Sequence, residues 1–420
     1  MFVSSGIRFI TALRDDARRK IEELGNADIV VGIPSYYSQQ TIAHVIETVA
    51  LGLSKFYSDK KCLIFVADGG STDDTRETAE AVDISSYNVE KIVSIYRGIP
   101  GKGSAVRAIF ESAKFLKAEA VALFDSDLRS ITPEWVKNVL DPVFEGYDFI
   151  APFYKRYKFD GTITNTIAYN LVRALYGYRI RQPIGGDFGI SSDLVKIYLD
   201  EDVWDTDVAK FGIDIWLTTT AIVKKSKICE ARLGAKIHNK KDPAHDLSPM
   251  FREVVGTIFN LMEEYEDFWK KVKGSKPVPI LGDFVGAEPE PIEIDQQGLI
   301  EYFKLGYNNF GAVWKNILEE DDFKIIQNLY KLENPEDFIL PIETWVRIVY
   351  RYAVTFHKAP RQEFKLLNTM IPLYNARVAS LVNELKDKTT DEAEEYYELQ
   401  AEYFEKLKGY LIKLWEGKEK

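Results

Sequence analysis

Glu119-Ala-Val-Ala-Leu-Phe-Asp125-Ser126-Asp127 decides the fold: an apolar run of strand length ends on two carboxylates separated by one residue. A run this short, followed by a polar turn, reads as a buried strand. Carboxylates two apart where a strand ends can both reach one hard divalent cation, which shares its oxygen ligands with phosphates. Taken alone, the pair suits either such a clamp or the polar turn ahead of a helix beginning near Thr132-Pro133-Glu134-Trp135.

Outward from this strand the pattern repeats. Asp28–Pro34, Lys61–Asp68, Lys91–Tyr96, Ala120–Asp125 and Asp148–Phe153 are short β-rich runs separated by helical segments. This alternation predicts an α/β fold with a mostly parallel, Rossmann-like sheet. Ligands of such sheets gather at the carboxyl ends of the strands. Those ends carry Pro34-Ser35-Tyr36, Asp68-Gly69-Gly70-Ser71-Thr72-Asp73-Asp74 and Asp125-Ser126-Asp127. Their shared placement predicts a nucleotide site.

At 420 residues and 46% hydrophobic content, the chain has material for two folded parts. The expected divisions are an N-terminal helical segment over 1–28, the α/β domain over 29–243 and a helical accessory or oligomerisation domain over 244–420. In the last, Phe251–Val272, Leu299–Tyr330 and Glu343–His357 read as amphipathic helices. Gly274–Pro279 and Glu288–Pro291 read as linker. Thr389-Thr-Asp-Glu392 has capping-box spacing ahead of a helix reaching Trp415, and Glu392–Glu398 reads as a solvated acidic face. A homodimer formed through this half is the expected assembly.

A net charge of −11, from 54 Lys and Arg against 65 Asp and Glu, argues against a nucleic-acid partner. No run of about 18 apolar residues offers a membrane span, and the N-terminus lacks a signal-peptide core, so the expected location is cytoplasmic. Cys62 and Cys229 read as small core residues, and four scattered histidines make no zinc motif.

Other chemistry-bearing residues punctuate the domain. Gly98-Ile-Pro-Gly-Lys-Gly-Ser-Ala105 lacks the P-loop spacing, yet its glycines allow close backbone approach and Lys102 can offset phosphate charge. Gly185-Gly-Asp-Phe-Gly-Ile190 sets Asp187 in a turn suited to sugar hydroxyls. Asp214 opens an apolar helix, where it can serve the helix start or a buried sugar pocket. His238 follows an apolar segment and is, by itself, as well read as structural.

In order, Ile33-Pro34-Ser35, Asp68–Asp73, Gly101-Lys102-Gly103, Asp125–Arg129, Gly185-Gly186-Asp187 and Lys236-Ile237-His238 resemble the glucosyl-3-phosphoglycerate synthase and glucosylglycerate synthase group of retaining GT-A glycosyltransferases. Mannosylglycerate synthases are more distant relatives, and the likeness covers about residues 25–270. The resemblance implies Mg²⁺ or Mn²⁺ on Asp127 and His238, with Asp125 beside them. It implies that Pro34, Ser35, Gln39, Asp68, Lys102, Asp125 and Ser126 contact the nucleotide sugar, Gln39 standing where the family often has glutamate. Asp187 and Asp214 would face the transferred sugar or the acceptor, with Lys102 on the departing diphosphate.

For the acceptor the resemblance points to Gly161, Thr162, Thr164 and Asn165. Some phosphoglycerate-using members carry arginine where Thr162 stands, so its absence favours unphosphorylated glycerate, with Arg156, Lys158, Arg173 and Arg181 as alternative sources of positive charge. The implied activity is transfer of glucose from UDP-glucose or GDP-glucose to D-glycerate or 3-phosphoglycerate, yielding a compatible solute or its phosphorylated precursor. Three other readings stand beside it: mannosylglycerate-type transfer, hexosyl transfer to a polyprenyl phosphate, and a non-catalytic sugar-nucleotide-binding protein.

Overall fold

The computed structural model describes residues 6, 8–238, 248–283, 288–359 and 363–418. Among the described residues ten strands form: β1 Ile29–Ser35, β2 Cys62–Asp68, β3 Glu90–Ile95, β4 Ala120–Leu123, β5 Phe149–Lys155, β6 Tyr178–Arg179, β7 Gly189–Ser191, β8 Ile228–Ala235, β9 Lys276–Pro277 and β10 Ile280–Leu281. Eight make one sheet in the order β10-β8-β5-β7-β4-β1-β2-β3. The five strands expected from apolar runs are all present. Every residue of β1, β2 and β4 is buried, as strands covered by helices on both faces require.

Parallel register aligns the strand ends that matter. Ile29 lies opposite both Cys62 and Ala120, and Ser35 opposite Asp68, so β1, β2 and β4 finish on one edge. Strand β7 is antiparallel to β4 and β5. Its start therefore lies at the carboxyl ends of its neighbours, which delivers Gly185-Gly186-Asp187 to the D-x-D. Sequence reading treated this segment as a turn alone; three residues are too few to show a period.

Alternate residues of β1 face two cores. Ile29, Val31 and Ile33 join the helices Ile42–Phe56 and Pro133–Phe144, while Val30 faces the helices Lys102–Leu116 and Ile213–Val223. The second core runs without a break into Phe251, Trp345, Tyr374 and Trp415, so the helical half shares a core with the sheet. Cys62 and Cys229 are buried free thiols, and burial pushes both up to about 12.

Several helical expectations change in detail. Leu299–Tyr330 is two helices, Gln296–Ile317 and Glu320–Lys331, and Phe251–Val272 breaks after Glu264. Within Gly274–Pro279, β9 pairs with β6, and β10 just beyond it extends the main sheet beside β8. The Thr389 capping box forms as expected on the helix Thr390–Lys406. The acidic run beginning that helix is not simply solvated: Glu394 and Glu398 pair with buried arginines. Among the described residues no helix is long and apolar enough to cross a membrane.

Candidate active site

A cavity of about 760 Å³ opens at the carboxyl edge of the sheet. At its centre is a chain of alternating charges. Lys102, in the first turn of its helix, contacts Asp214 at 3.0 Å and Asp125 at 2.8 Å. Lys236 contacts the other Asp125 oxygen at 2.6 Å and Asp187 at 3.0 Å, and donates to the Gly185 carbonyl at 2.8 Å. Asp187, 0% exposed, also accepts from the Tyr154 hydroxyl and from the Asp125 amide at 2.8 Å.

The electrostatics follow from burial and pairing. Burial opposes the charge of Asp125, but Lys102 and Lys236 hold its carboxyl well below the usual range. Burial likewise opposes ionised Lys102, and Asp125 with Asp214 raises it. For Asp187 and Asp214 burial prevails and pushes both carboxyls up, offset only in part by Lys236 and Lys102 respectively. Asp214 is 8% exposed and lines the cavity, and its Oδ1, itself buried, has no hydrogen-bond partner among the described residues.

Gly186 makes the central pair sterically possible. Its φ is +87°, and a Cβ there would lie 2.5 Å from Asp125 Oδ2 and 2.8 Å from Lys102 Nζ. Gly186→Ala is expected to displace this pair and cost at least about 1–2 kcal/mol from the left-handed backbone alone. Urea unfolding together with turnover checks this; a variant of unchanged stability and rate would contradict it.

The D-x-D loop is anchored on both sides. The Ser38 and Ser126 hydroxyls are 2.7 Å apart, and Thr41 donates to the Ser126 carbonyl at 2.8 Å. Leu128 bridges to His238, and the Arg129 amide donates to the Ile237 carbonyl at 2.8 Å. These pairings bring Asp127 and His238 to one wall of the cavity. A carboxylate oxygen and an imidazole nitrogen suit Mg²⁺ or Mn²⁺ that completes its shell with phosphate and water. Among the described lining residues six carboxylates face four lysines or arginines, so an added cation would compensate the entry of a diphosphate. Each oxygen of Asp125 meets one lysine, Lys102 at 2.8 Å and Lys236 at 2.6 Å.

Other expected contacts divide. Pro34, Ser35, Lys102, Ser126, Gly161, Thr162 and Thr164 line the cavity; Gln39, Asp68, Asp187 and Asn165 do not. Asp68 is 0% exposed and accepts from Ser35 Oγ, the Gly70 and Ser71 amides and Ser71 Oγ, forming the turn behind the cavity wall. Gln39 donates to exposed Asp74 at 3.1 Å. The Thr162 hydroxyl meets Tyr374 at 2.5 Å, and Asn165 is buried among Asp160, Arg181 and Gln400.

Three of the four alternative cations are also engaged elsewhere. Lys158 donates to the carbonyls of Leu385, Lys386 and Lys388, Arg173 pairs with Glu398 and Glu405, and Arg181 with Glu394. Only Arg156 of the four lines the cavity; Asp160 holds its Nη1 at 3.1 Å, and its Nε has no partner among the described residues. Lys236 is the central residue that sequence reading left without a role; the signal available was its place two residues before His238.

An open parallel sheet with a reversed strand beside the D-x-D, and a cavity at that edge, is the GT-A arrangement, and residues 30–204 match the family model described as glycosyl transferase family 2. Over residues 30–204 the chain is therefore similar to glycosyltransferase domains. Within that class it is similar to the glucosyl-3-phosphoglycerate synthase of Mycolicibacterium smegmatis, at 24% identity over 256 residues, covering 55% of this chain and 77% of that protein. It is also similar to the mannosylglycerate synthase of Rhodothermus marinus, at 26% identity over 175 residues, covering 39% and 43%. A crystal structure of the Mycobacterium tuberculosis glucosyl-3-phosphoglycerate synthase with Mn²⁺, UDP and phosphoglyceric acid aligns at 22% identity and a TM-score of 0.43, covering 62% of this chain and 85% of that one.

Proposed function

We propose that this chain is a metal-dependent hexosyltransferase that moves glucose from a nucleoside-diphosphate donor to the 2-hydroxyl of D-glycerate, with retention at the anomeric carbon. The observation that carries this reading is a single cavity holding Asp127 with His238, the Lys102–Asp214 pair and Arg156. Asp127 and His238 would hold Mg²⁺ or Mn²⁺, which would supply Lewis-acid stabilisation to a departing diphosphate.

Lys102 adds a fixed positive charge where negative charge develops. Asp214, on the cavity lining and paired with Lys102, offers its carboxylate to a donor-sugar hydroxyl. Asp187 is sealed behind Tyr154 and Lys236, which removes it as a nucleophile. A same-face substitution is the consistent route. The acceptor oxygen bonds to the anomeric carbon as the bond to phosphate breaks, and the acceptor proton passes to the leaving phosphate oxygen.

Arg156 favours a small hydroxy acid with one anionic group, since Lys158, Arg173 and Arg181 are held by the C-terminal helices. Arg156→Gln is expected to raise the KM for D-glycerate on the order of 10²-fold, the scale of a lost carboxylate–guanidinium pair of about 3 kcal/mol, and to leave the donor KM unchanged. Steady-state kinetics with D-glycerate and 3-phosphoglycerate tests this. A preference for the phosphorylated acid in the parent enzyme would overturn the choice of acceptor.

A further inference from the structure

The helix Thr390–Lys406 holds the segment behind Gly161, Thr162 and Thr164 of the cavity lining through polar contacts. Glu394 takes Arg181 in two bonds, from Nε at 2.8 Å and from Nη2 at 2.9 Å. The same Nη2 donates to Asn165 Oδ1 at 2.8 Å, and Asn165 Nδ2 donates to the Asp160 carbonyl at 2.8 Å. Asp160 in turn holds Arg156 at 3.1 Å and stands 3.9 Å from His238 Nε2. One turn on, Gln400 donates to the Asn165 carbonyl at 2.7 Å, and Tyr397 donates to the Lys158 carbonyl at 2.6 Å.

These contacts meet a section of backbone that needs support. Residues Thr164–Ala168 and Val172–Tyr176 are wound as π-helix, a geometry rarely stable without tertiary help. Arg181 lies over the rings of Tyr169 and Tyr397, at 5.1 and 5.7 Å, so its guanidinium is fixed in orientation and height. Positions 394, 397 and 400 recur at helical spacing on one face.

We infer that Glu394 and Arg181 are positioning residues for acceptor binding: through Asn165 and Asp160 the C-terminal helix sets Arg156, and so tunes affinity for the acceptor separately from the donor. This rests on the reading of Arg156 as the acceptor's cation.

The test uses the full chain with Glu394→Ala and the conservative Glu394→Gln, which keeps an acceptor for Arg181. Glu394→Ala is expected to raise acceptor KM about tenfold, the scale of one charge-assisted hydrogen bond. The kcat and the metal-dependent binding of UDP should stay within about twofold on the same scale, with Glu394→Gln recovering most of the loss. Hydrogen exchange over residues 156–165 should accelerate in Glu394→Ala while β1 and β2 keep their protection. Equal losses of melting temperature, kcat and UDP binding, or unchanged exchange and acceptor KM, would overturn the inference. A parent enzyme that glucosylates no hydroxy acid refutes the acceptor reading instead, and the exchange measurement then still decides whether the helix holds this segment.

Discussion

Asp127→Ala is expected to lower metal-dependent turnover on the order of 10³-fold, because the several kcal/mol that a bound cation contributes to charge stabilisation vanish with its carboxylate ligand. The fold should survive. Asp127 is at the cavity wall, only partly buried, and the backbone pairing of Leu128 with His238 does not use its side chain. Unfolding midpoint and far-ultraviolet circular dichroism should match the parent, while Mn²⁺-dependent binding of UDP is lost. Unchanged activity, or lost activity with unchanged Mn²⁺ dependence of UDP binding, would remove Asp127 from the metal site.

The second large effect concerns Lys236. Its ammonium separates Asp125 from Asp187, at 2.6 and 3.0 Å, and is 4% exposed. Lys236→Ala leaves two buried carboxyls without their shared cation, a change that costs about 3–5 kcal/mol at neutral pH. The pH dependence has a definite sign. Burial already raises Asp187, so its contribution to stability is present at low pH and lost as pH rises through its folded value. Asp125 is held low by the lysines, so its contribution is present above the usual carboxylate range and lost as pH falls through its folded value.

Removing Lys236 raises Asp187 further and weakens the hold on Asp125. The stability deficit should therefore be largest near neutrality and shrink as pH falls and Asp187, without its cation, gains a proton. Urea unfolding at several pH values measures it. A deficit independent of pH would mean that Lys236 acts by packing over Tyr154, 5.3 Å away, and not by charge.

What the sequence made legible has local causes. Strands β1, β2 and β4 are short apolar runs because helices bury both faces, and Pro133 and Thr389 mark helix starts by the chemistry of a first turn and a cap. Lys102, Asp125, Asp127, Asp214 and His238 stood out singly by residue type and by position at a strand end or helix start, and one cavity gathers all five. Their pairing was not legible. Lys102 and Asp214 are 112 positions apart, and Arg181 and Glu394 are 213 apart, so only the folded chain shows which charge neutralises which. Asp68 looked like a ligand residue for the same reason that it makes a good turn: a carboxylate followed by Gly69 and Gly70 accepts the amides that close the loop.

The most direct measurement is NMR of the product formed from UDP-glucose, GDP-glucose or GDP-mannose with D-glycerate or 3-phosphoglycerate, each with and without Mg²⁺. An α-linked glucosyl product with D-glycerate, formed only with metal, is the predicted result. A β-linked product, or none from any pair, would contradict retaining transfer to a hydroxy acid.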